Sequence, residues 1–115
     1  GAKAYCIQDS DGQIGETESL SSGLDYPSVS PLHCFLKDAG RARYTSATDE
    51  EALKAYALVS KFSNISPSLE PSHAFSTAIK LAPKLNKDTI LIVNSCGHSL
   101  KDSEIIKNKL GYYTE

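Results

Sequence analysis

The sequence predicts an α/β fold in which helices cover a parallel sheet. Residues 89–93 (Thr-Ile-Leu-Ile-Val) form a continuous apolar run, which is typical of a strand covered on both faces. Segments with helical periodicity alternate with extended segments along the chain, and that order favours a parallel sheet with right-handed crossovers. The chain has 115 residues, so we expect one domain, 1–115, with a modest core.

The first 17 residues carry the signal of an N-terminal β-hairpin. Residues 4–8 and 13–17 are extended in character and flank Asp9-Ser-Asp-Gly12. An Asp-Gly pair between two such runs favours a tight turn that joins antiparallel strands. Residues 19–31 are rich in Ser, Gly and Pro, and this composition predicts an ordered loop.

Two helices are predicted in the middle of the chain, separated by a strand at residues 43–46. The first begins at Pro31 and stops at Gly40. The second begins at a capping box, in which the Thr48 hydroxyl and the Glu51 carboxylate satisfy free amides at the helix start. Behind the capping box an apolar stripe recurs at helical spacing and is expected to face the core: Ala52, Tyr56, Val59 and Phe62.

Two further helices follow. One is expected to begin near Pro71 and to end by Pro83, with apolar residues Ala74, Phe75, Ala78, Ile79 and Leu81. Asp102 or Ser103 is expected to cap the last helix, which Gly111 closes. Its apolar residues are Ile105, Ile106 and Leu110.

Charge and composition exclude some classes of function. The 12 basic and 14 acidic residues give a net charge of −2 without a run of either sign, which argues against a nucleic-acid partner or a polybasic membrane surface. No apolar stretch is long enough to cross a bilayer. The three widely spaced cysteines indicate a reducing, cytoplasmic setting more than a disulfide framework.

Two loops are candidates for chemistry, because ligands gather beyond the carboxyl ends of parallel strands. Residues 94–98 follow the apolar strand, and residues 66–70 join the second and third predicted helices. Cys96 and His98 could serve as a nucleophile and its base, whereas a zinc site is poorly supported by their spacing. The plain alternatives stay open: both segments could be ordinary loops, Glu70 could simply interact with a helix dipole, and Asp25 could form a turn.

Two motifs carry a resemblance to a known family. Residues 22–31 read Ser-Gly-Leu-Asp-Tyr-Pro-Ser-Val-Ser-Pro, and residues 67–74 read Pro-Ser-Leu-Glu-Pro-Ser-His-Ala. These motifs resemble the beta subunit of tryptophan synthase, a pyridoxal-phosphate (PLP) enzyme. The order and gaps of other matching residues agree from Tyr5 to about Leu110. The resemblance implies the three-layer α/β fold of that family and a parent enzyme, a carbon–oxygen lyase, that makes L-tryptophan from L-serine and indole.

The resemblance implies roles for four residues at a PLP site. Cys96 occupies the place of a serine that meets the pyridine nitrogen, and Gly97 belongs to the same cofactor-binding loop. Glu70 matches a glutamate close to the cofactor ring, and Asp25 matches an aspartate that pairs with an arginine when the site closes. Residues 96–102 read Cys-Gly-His-Ser-Leu-Lys-Asp where the family reads Ser-Gly-Arg-Gly-Asp-Lys-Asp.

The resemblance also implies a cation, partners and a missing part. Tyr26 and Ser28 match residues whose backbone carbonyls hold a monovalent cation, Na⁺ or K⁺. The family works with an alpha subunit, separate or fused, and forms a beta–beta homodimer. Its Schiff-base lysine and its glycine-rich phosphate cradle match nothing in this chain. We therefore expect the carboxyl-terminal part of a PLP-binding domain, inactive by itself.

Three alternatives remain from the sequence. One is a divergent PLP-dependent lyase that dehydrates serine or threonine, since a cysteine fills the place of Cys96 in such enzymes. Another is a small hydrolase or transferase that uses Cys96 and His98. The third is a non-catalytic α/β interaction domain.

Overall fold

The computed structural model describes residues 1–111, and helices are the regular structure it shows. They are α1 (Pro31–Asp38), α2 (Asp49–Ser63), α3 (Leu69–Leu81) and α4 (Ser103–Leu110). Short 3-10 helices occupy Ser22–Leu24, Ala82–Lys84 and Ser99–Asp102. Within residues 1–111 no strand forms, so the predicted parallel sheet and the predicted hairpin are not found in this chain.

Helix α2 begins as the sequence predicts. The Thr48 side chain accepts a hydrogen bond from the amide of Glu51 at 3.3 Å, and the Glu51 carboxylate accepts one from the amide of Thr48 at 3.0 Å. The two bonds satisfy helix-start amides that would otherwise lack partners. The capping box is therefore confirmed.

The core lies where α2, α3 and α4 meet. Its buried members are Leu53, Tyr56, Leu69 and Ile106, and Leu20 from the preceding loop packs against them. Tyr56 is 0% exposed, whereas Phe62 at the far end of α2 is 74% exposed. The predicted stripe of α2 therefore faces the core at its beginning and leaves it in the last turn.

The face of α3 that packs inward differs from the predicted one. Helix α3 begins at Leu69, and it buries Leu69, Ser72 and Ser76. These positions follow helical spacing, and the two small serines allow a close approach of α2, its main neighbour. Ile79, which was assigned to the buried face, is 39% exposed. An apolar-stripe argument misses this face because serine does not count as hydrophobic.

The ends of α1 and α4 follow local signals. Pro31 occupies the first turn of α1, where Ser30 accepts a hydrogen bond from the amide of Leu32 at 3.2 Å. Gly111 ends α4 with φ of 72°, and its amide donates to the carbonyl of Lys107 at 2.8 Å. Glycine suits this left-handed position because it has no Cβ.

The N-terminal segment forms the predicted turn without forming strands. The amide of Gly12 donates to the carbonyl of Asp9 at 3.2 Å, and the amide of Gly15 donates to the carbonyl of Ile7 at 2.9 Å. Single antiparallel bridges join Gln8 to Ile14 and Cys6 to Ser28. The pairing stops there, because residues 5–7 turn toward residues 27–28 instead of continuing a two-stranded ladder.

The two segments predicted as parallel strands form no strand pairing. Residues 43–46 and 89–93 have no ladder of hydrogen bonds among the described residues. Ile90 is 86% exposed and Ile92 is 89% exposed, although the apolar run predicts burial on both faces. A strand needs a neighbour to bond its amides and carbonyls, and residues 1–111 supply none here.

Candidate functional site

Three segments meet at the N-terminus of α3. They are the 3-10 turn Ser22–Leu24, the loop around Cys96 and Gly97, and the end of the 3-10 turn Ser99–Asp102, which leads into α4. The first residues of α3 contact all three through hydrogen bonds. This junction brings together residues that lie up to 79 positions apart between Gly23 and Asp102, and it contains the candidate residues Glu70, Cys96 and Gly97.

Glu70 is the acidic centre of the junction. Its Oε1 atom accepts hydrogen bonds from the amide of Gly23 at 3.1 Å and from the Lys101 ammonium at 2.8 Å. Burial raises the pKa of Glu70, but hydrogen bonds from Lys101 and from the backbone amides of Glu70 and Gly23, with help from Ser68, lower it to about 2. Glu70 is therefore an anion at neutral pH.

The second oxygen of Glu70 differs from the first. Glu70 Oε2 is buried and has no hydrogen-bond partner among residues 1–111. The Ser68 hydroxyl, which also lowers the pKa of Glu70, donates its proton to the carbonyl of Cys96 at 3.0 Å. A buried charged oxygen without a donor is costly, and Ser68, which lowers the pKa of Glu70, is a hydroxyl that can supply one by rotating away from Cys96.

Asp102 supports the same helix end from another side. The carboxylate is 3% exposed; Oδ2 accepts a hydrogen bond from the amide of Leu69 at 2.8 Å, and Oδ1 accepts one from Lys101 at 2.7 Å. Asp102 is the N-cap residue of α4, as the sequence predicts, but its side chain makes no cap bond there and binds the first amide of α3 instead. A negative charge at this position also interacts well with the dipole of α3.

Two glycines permit the loops to approach α3. A Cβ atom on Gly23 would lie 2.7 Å from Glu70 Oε1, and a Cβ on Gly97 would lie 2.7 Å from Ser68 Oγ. Gly97 also has φ of 79°, a conformation that other residues rarely adopt. Both positions therefore require glycine for close contact with the helix end.

Cys96 and His98 sit on the outer side of this loop. Cys96 is exposed, and its carbonyl is held by Ser68. His98 Nδ1 accepts a hydrogen bond from the amide of Leu100 at 3.3 Å and so caps the turn Ser99–Asp102. This local role explains why a histidine follows the loop, while the nucleophile hypothesis for Cys96 and His98 stays a prediction.

The other predicted site residues lie away from the junction's hydrogen bonds. Asp25 is exposed directly after the turn Ser22–Leu24. Tyr26 is 66% exposed, and the Ser28 hydroxyl donates to the carbonyl of Tyr5 at 2.8 Å. Residues 26–28 are thus held by the N-terminal segment. Neither the cation site at Tyr26 and Ser28 nor the role of Asp25 is tested by these contacts.

An open groove of about 930 Å³ runs beside the junction. Glu70 and Asn94 line one part of it, and the exposed face of α3 forms its floor. The two extended segments line it as well, through residues 43–47 and 91–94. The groove therefore combines a charged end at Glu70 with unpaired extended backbone along its sides.

The described residues show neither a metal cluster nor a membrane span. Within residues 1–111 no group of three or more His, Cys, Asp or Glu side chains is arranged to hold a metal ion. None of the helices in this part of the chain is long and apolar enough to cross a membrane.

Comparison with known proteins identifies the kinship of the chain. A tryptophan synthase beta chain from Nitrosomonas europaea is 51% identical over 111 residues, which is 96% of this chain. The chain is homologous to tryptophan synthase beta chains. Relatives of the same name from Bordetella petrii and Cereibacter sphaeroides are each 48% identical, over 96% and 97% of the chain. The predicted resemblance is confirmed.

The match covers a small share of those relatives. The chain spans 28% of the length of the Nitrosomonas europaea and Bordetella petrii proteins, and 27% of the Cereibacter sphaeroides protein. No family model matches the chain. The sequence is therefore consistent with a fragment of a tryptophan synthase beta chain.

The sequence argument found part of the junction and missed the rest. Glu70, Cys96 and Gly97 were assigned to a site, whereas Lys101 and Gly23 received no function and the bond from the Leu69 amide to Asp102 was not foreseen. The sequence did contain a signal for these residues. Gly23 lies in the motif at residues 22–31, and Lys101-Asp102 lies just after the candidate loop at residues 94–98. Their contact with Glu70 depends on the fold.

Proposed function

We propose that this chain is the carboxyl-terminal part of the PLP-binding domain of a cytoplasmic tryptophan synthase beta-type enzyme, a lyase whose parent joins L-serine and indole. The observation that carries the proposal is the identity of 51% over 96% of the chain. The match spans 111 residues and so takes in the loops that meet at α3. By itself the chain is proposed to be inactive.

The parallel sheet is proposed to form only with the remainder of the parent. The exposed run at residues 89–93 and the segment at residues 43–46 both line the groove beside α3. Further strands bonded to these segments would cover Ile90 and Ile92 and would satisfy their backbone groups. The groove and its unpaired edges support this completion.

The junction fits one side of a PLP site. PLP, when bound, acts as an electron sink, and the partner of its pyridine nitrogen sets how strong that sink is. The Cys96 thiol is the proposed neutral partner, and the bond from Ser68 to the Cys96 carbonyl holds that loop in place. Glu70, with one buried oxygen lacking a donor, supplies a fixed negative charge and a free acceptor beside the groove.

The remaining roles belong to exposed loop residues. Asp25 is proposed to pair with an arginine of the absent part when the site closes. The carbonyls of Tyr26 and Ser28 are proposed ligands of Na⁺ or K⁺, to which carbonyl oxygens are suited. The parent is proposed to form a beta–beta homodimer and to bind an alpha subunit or a fused alpha domain.

The direct experiment is a chimera. The 111 residues of the Nitrosomonas europaea protein that match this chain are replaced by the chain, and the product is assayed with L-serine and indole. We expect bound PLP and formation of L-tryptophan, with the unmodified relative as the control. A folded chimera that binds PLP but makes no tryptophan would contradict the proposed activity.

The same assay tests the competing lyase. A serine or threonine dehydratase-type site would release ammonia and a keto acid from the amino acid without any need for indole. A chimera that does this, and does not make tryptophan, would favour the dehydratase hypothesis. The replacement of the family's serine by Cys96 is the observation that motivates this arm.

The fragment hypothesis has its own test on the 115-residue chain. PLP is added in an absorbance titration, followed by borohydride reduction and peptide mapping. We expect at most scattered labelling of lysines. A stoichiometric band trapped on one lysine would show a complete cofactor site in this chain and would overturn the fragment hypothesis.

A further inference from the structure

Lys101 connects two carboxylates at the junction. Its ammonium lies 2.8 Å from Glu70 Oε1 and 2.7 Å from Asp102 Oδ1. Both carboxylates also bind backbone amides, that of Gly23 for Glu70 and that of Leu69 for Asp102. One lysine therefore holds the two anions that connect α3 to the neighbouring loops.

These ion pairs differ from an ordinary surface pair. The Asp102 side chain is 4% exposed and the Glu70 side chain is 20% exposed, whereas in the pair of Lys54 with Glu50 both side chains are more than 70% exposed. The Lys101 side chain is itself 41% exposed, so only the carboxylates of these pairs are shielded, and removing the lysine would leave them without their counter-charge. Burial lowers the pKa of Lys101, yet the hydrogen bonds to Asp102 and Glu70 raise it overall, so the ammonium is retained.

We propose that Lys101 is a positioning residue of the site: its ammonium holds Glu70 Oε1 beside the Gly23 amide and links that carboxylate to Asp102 at the start of α3. The proposal deepens the proposed function, because it adds to Glu70 the residue that fixes its orientation. Lys101 acts through Glu70 and touches no reacting group. Without the lysine, Glu70 and Asp102 would repel each other at the same helix end.

The experiment follows the Glu70 carboxyl by ¹³C NMR during an acid titration of the 115-residue chain. In the unaltered chain we expect the carboxyl to titrate near 2. In Lys101→Met the midpoint should rise by about one unit or more, because the neighbouring positive charge is gone. Lys101→Arg should restore most of the low value, and Lys54→Met should leave it unchanged.

A second measurement needs no variant. The amide signal of Gly23 in the unaltered chain should shift with the same midpoint as the Glu70 carboxyl, since that amide donates to Oε1. An unchanged Glu70 midpoint in Lys101→Met, or a Gly23 amide that ignores the Glu70 titration, would overturn the proposal.

Neither readout involves PLP, so this proposal and the proposed function can fail separately. A chimera that makes no tryptophan leaves the titration of Glu70 unaffected. In a chimera that does make tryptophan, Lys101→Met should lower kcat more than Lys54→Met does, and Lys101→Arg should restore most of it. A purely structural role for Lys101 would lower the yield of folded protein and leave kcat per folded molecule unchanged.

Discussion

The helical junction and the extended segments of this chain behave in opposite ways. Around Tyr56 and Ile106, helices bury their apolar residues completely, with 0% exposure for both side chains. At residues 89–93 the most apolar run of the chain stays outside, and Ile92 is 89% exposed. A helix satisfies its own backbone hydrogen bonds, whereas a strand needs a neighbouring strand. The helical junction therefore forms within residues 1–111, and residues 89–93 have no strand partner there.

The largest loss of stability is expected in the helical core. Tyr56→Ala removes a fully buried ring and should cost about 3–5 kcal/mol in the free energy of unfolding. Urea denaturation followed by circular dichroism measures it. Phe62→Ala, at a side chain 74% exposed, is the control and should cost less than about 1 kcal/mol.

Tyr56→Phe refines that test. The Tyr56 hydroxyl is buried without a hydrogen-bond partner among the described residues, so removing it should cost no stability. A loss of more than about 1 kcal/mol in Tyr56→Phe would mean that the hydroxyl has a partner in solution.

A smaller loss of stability is expected at the N-terminus of α3, beside the candidate site. Asp102→Ala removes the acceptor of the Leu69 amide and leaves Lys101 with one carboxylate, which should cost about 2–3 kcal/mol. Thermal and urea unfolding measure the change, with exposed Asp88→Ala as the matched control. If both variants unfold at the same urea concentration, the Asp102 bonds do not stabilise α3.

The next prediction concerns acid. The pKa of Glu70 is about 2 in the folded chain, below the ordinary 4.5 of a free glutamate, so its contribution to stability is present above about pH 4.5 and is lost as the pH falls toward 2. The stability difference between the unaltered chain and Glu70→Gln should therefore shrink on acidification across that range. Melting temperatures at several pH values measure this, and Phe62→Ala should show a constant difference. An equally constant difference for Glu70→Gln would contradict the prediction.

The smallest change in stability is expected in the exposed segment at residues 89–93. Replacing Ile90 and Ile92 together by Thr should change the stability of this chain by less than about 0.5 kcal/mol, because both side chains are already exposed. In the chimera the same pair should lower the melting temperature clearly, since the proposed sheet would bury them. Hydrogen exchange gives a parallel readout: the amides of residues 90–92 should exchange fast in the chain and slowly in the chimera.

The sequence predicted the four helices well and the strands poorly, for one physical reason. The start of α1 at Pro31, the capping box of α2 and the end of α4 at Gly111 depend on atoms within a few residues, and all three are confirmed. The strand at residues 89–93 depends on pairing partners, and a sequence pattern does not reveal whether they are present. The parallel sheet therefore stays a proposal for the parent.

The candidate site divides in the same way. The motifs indicated Glu70, Cys96 and Gly97 because each lies in a stretch that resembles the family, and the comparisons confirm that kinship. The motifs did not indicate that the Lys101 ammonium bridges Glu70 and Asp102. Asp102 is the next residue, but Glu70 lies 31 positions earlier in the chain, and only the fold brings it to Lys101.

What the sequence alone determined is the kinship of the chain and the local starts and stops of its helices, since short-range bonds and residue identities carry both. The tertiary structure alone decided which face of α3 is buried, namely that of Ser72 and Ser76. It also decided that the Asp102 side chain binds the start of α3, although Asp102 is the N-cap residue of α4. The reason is that the Asp102 carboxylate could bind an amide of its own helix or one of α3. The fold brings the amide of Leu69 to 2.8 Å from it, and this long-range contact cannot be predicted from the local sequence.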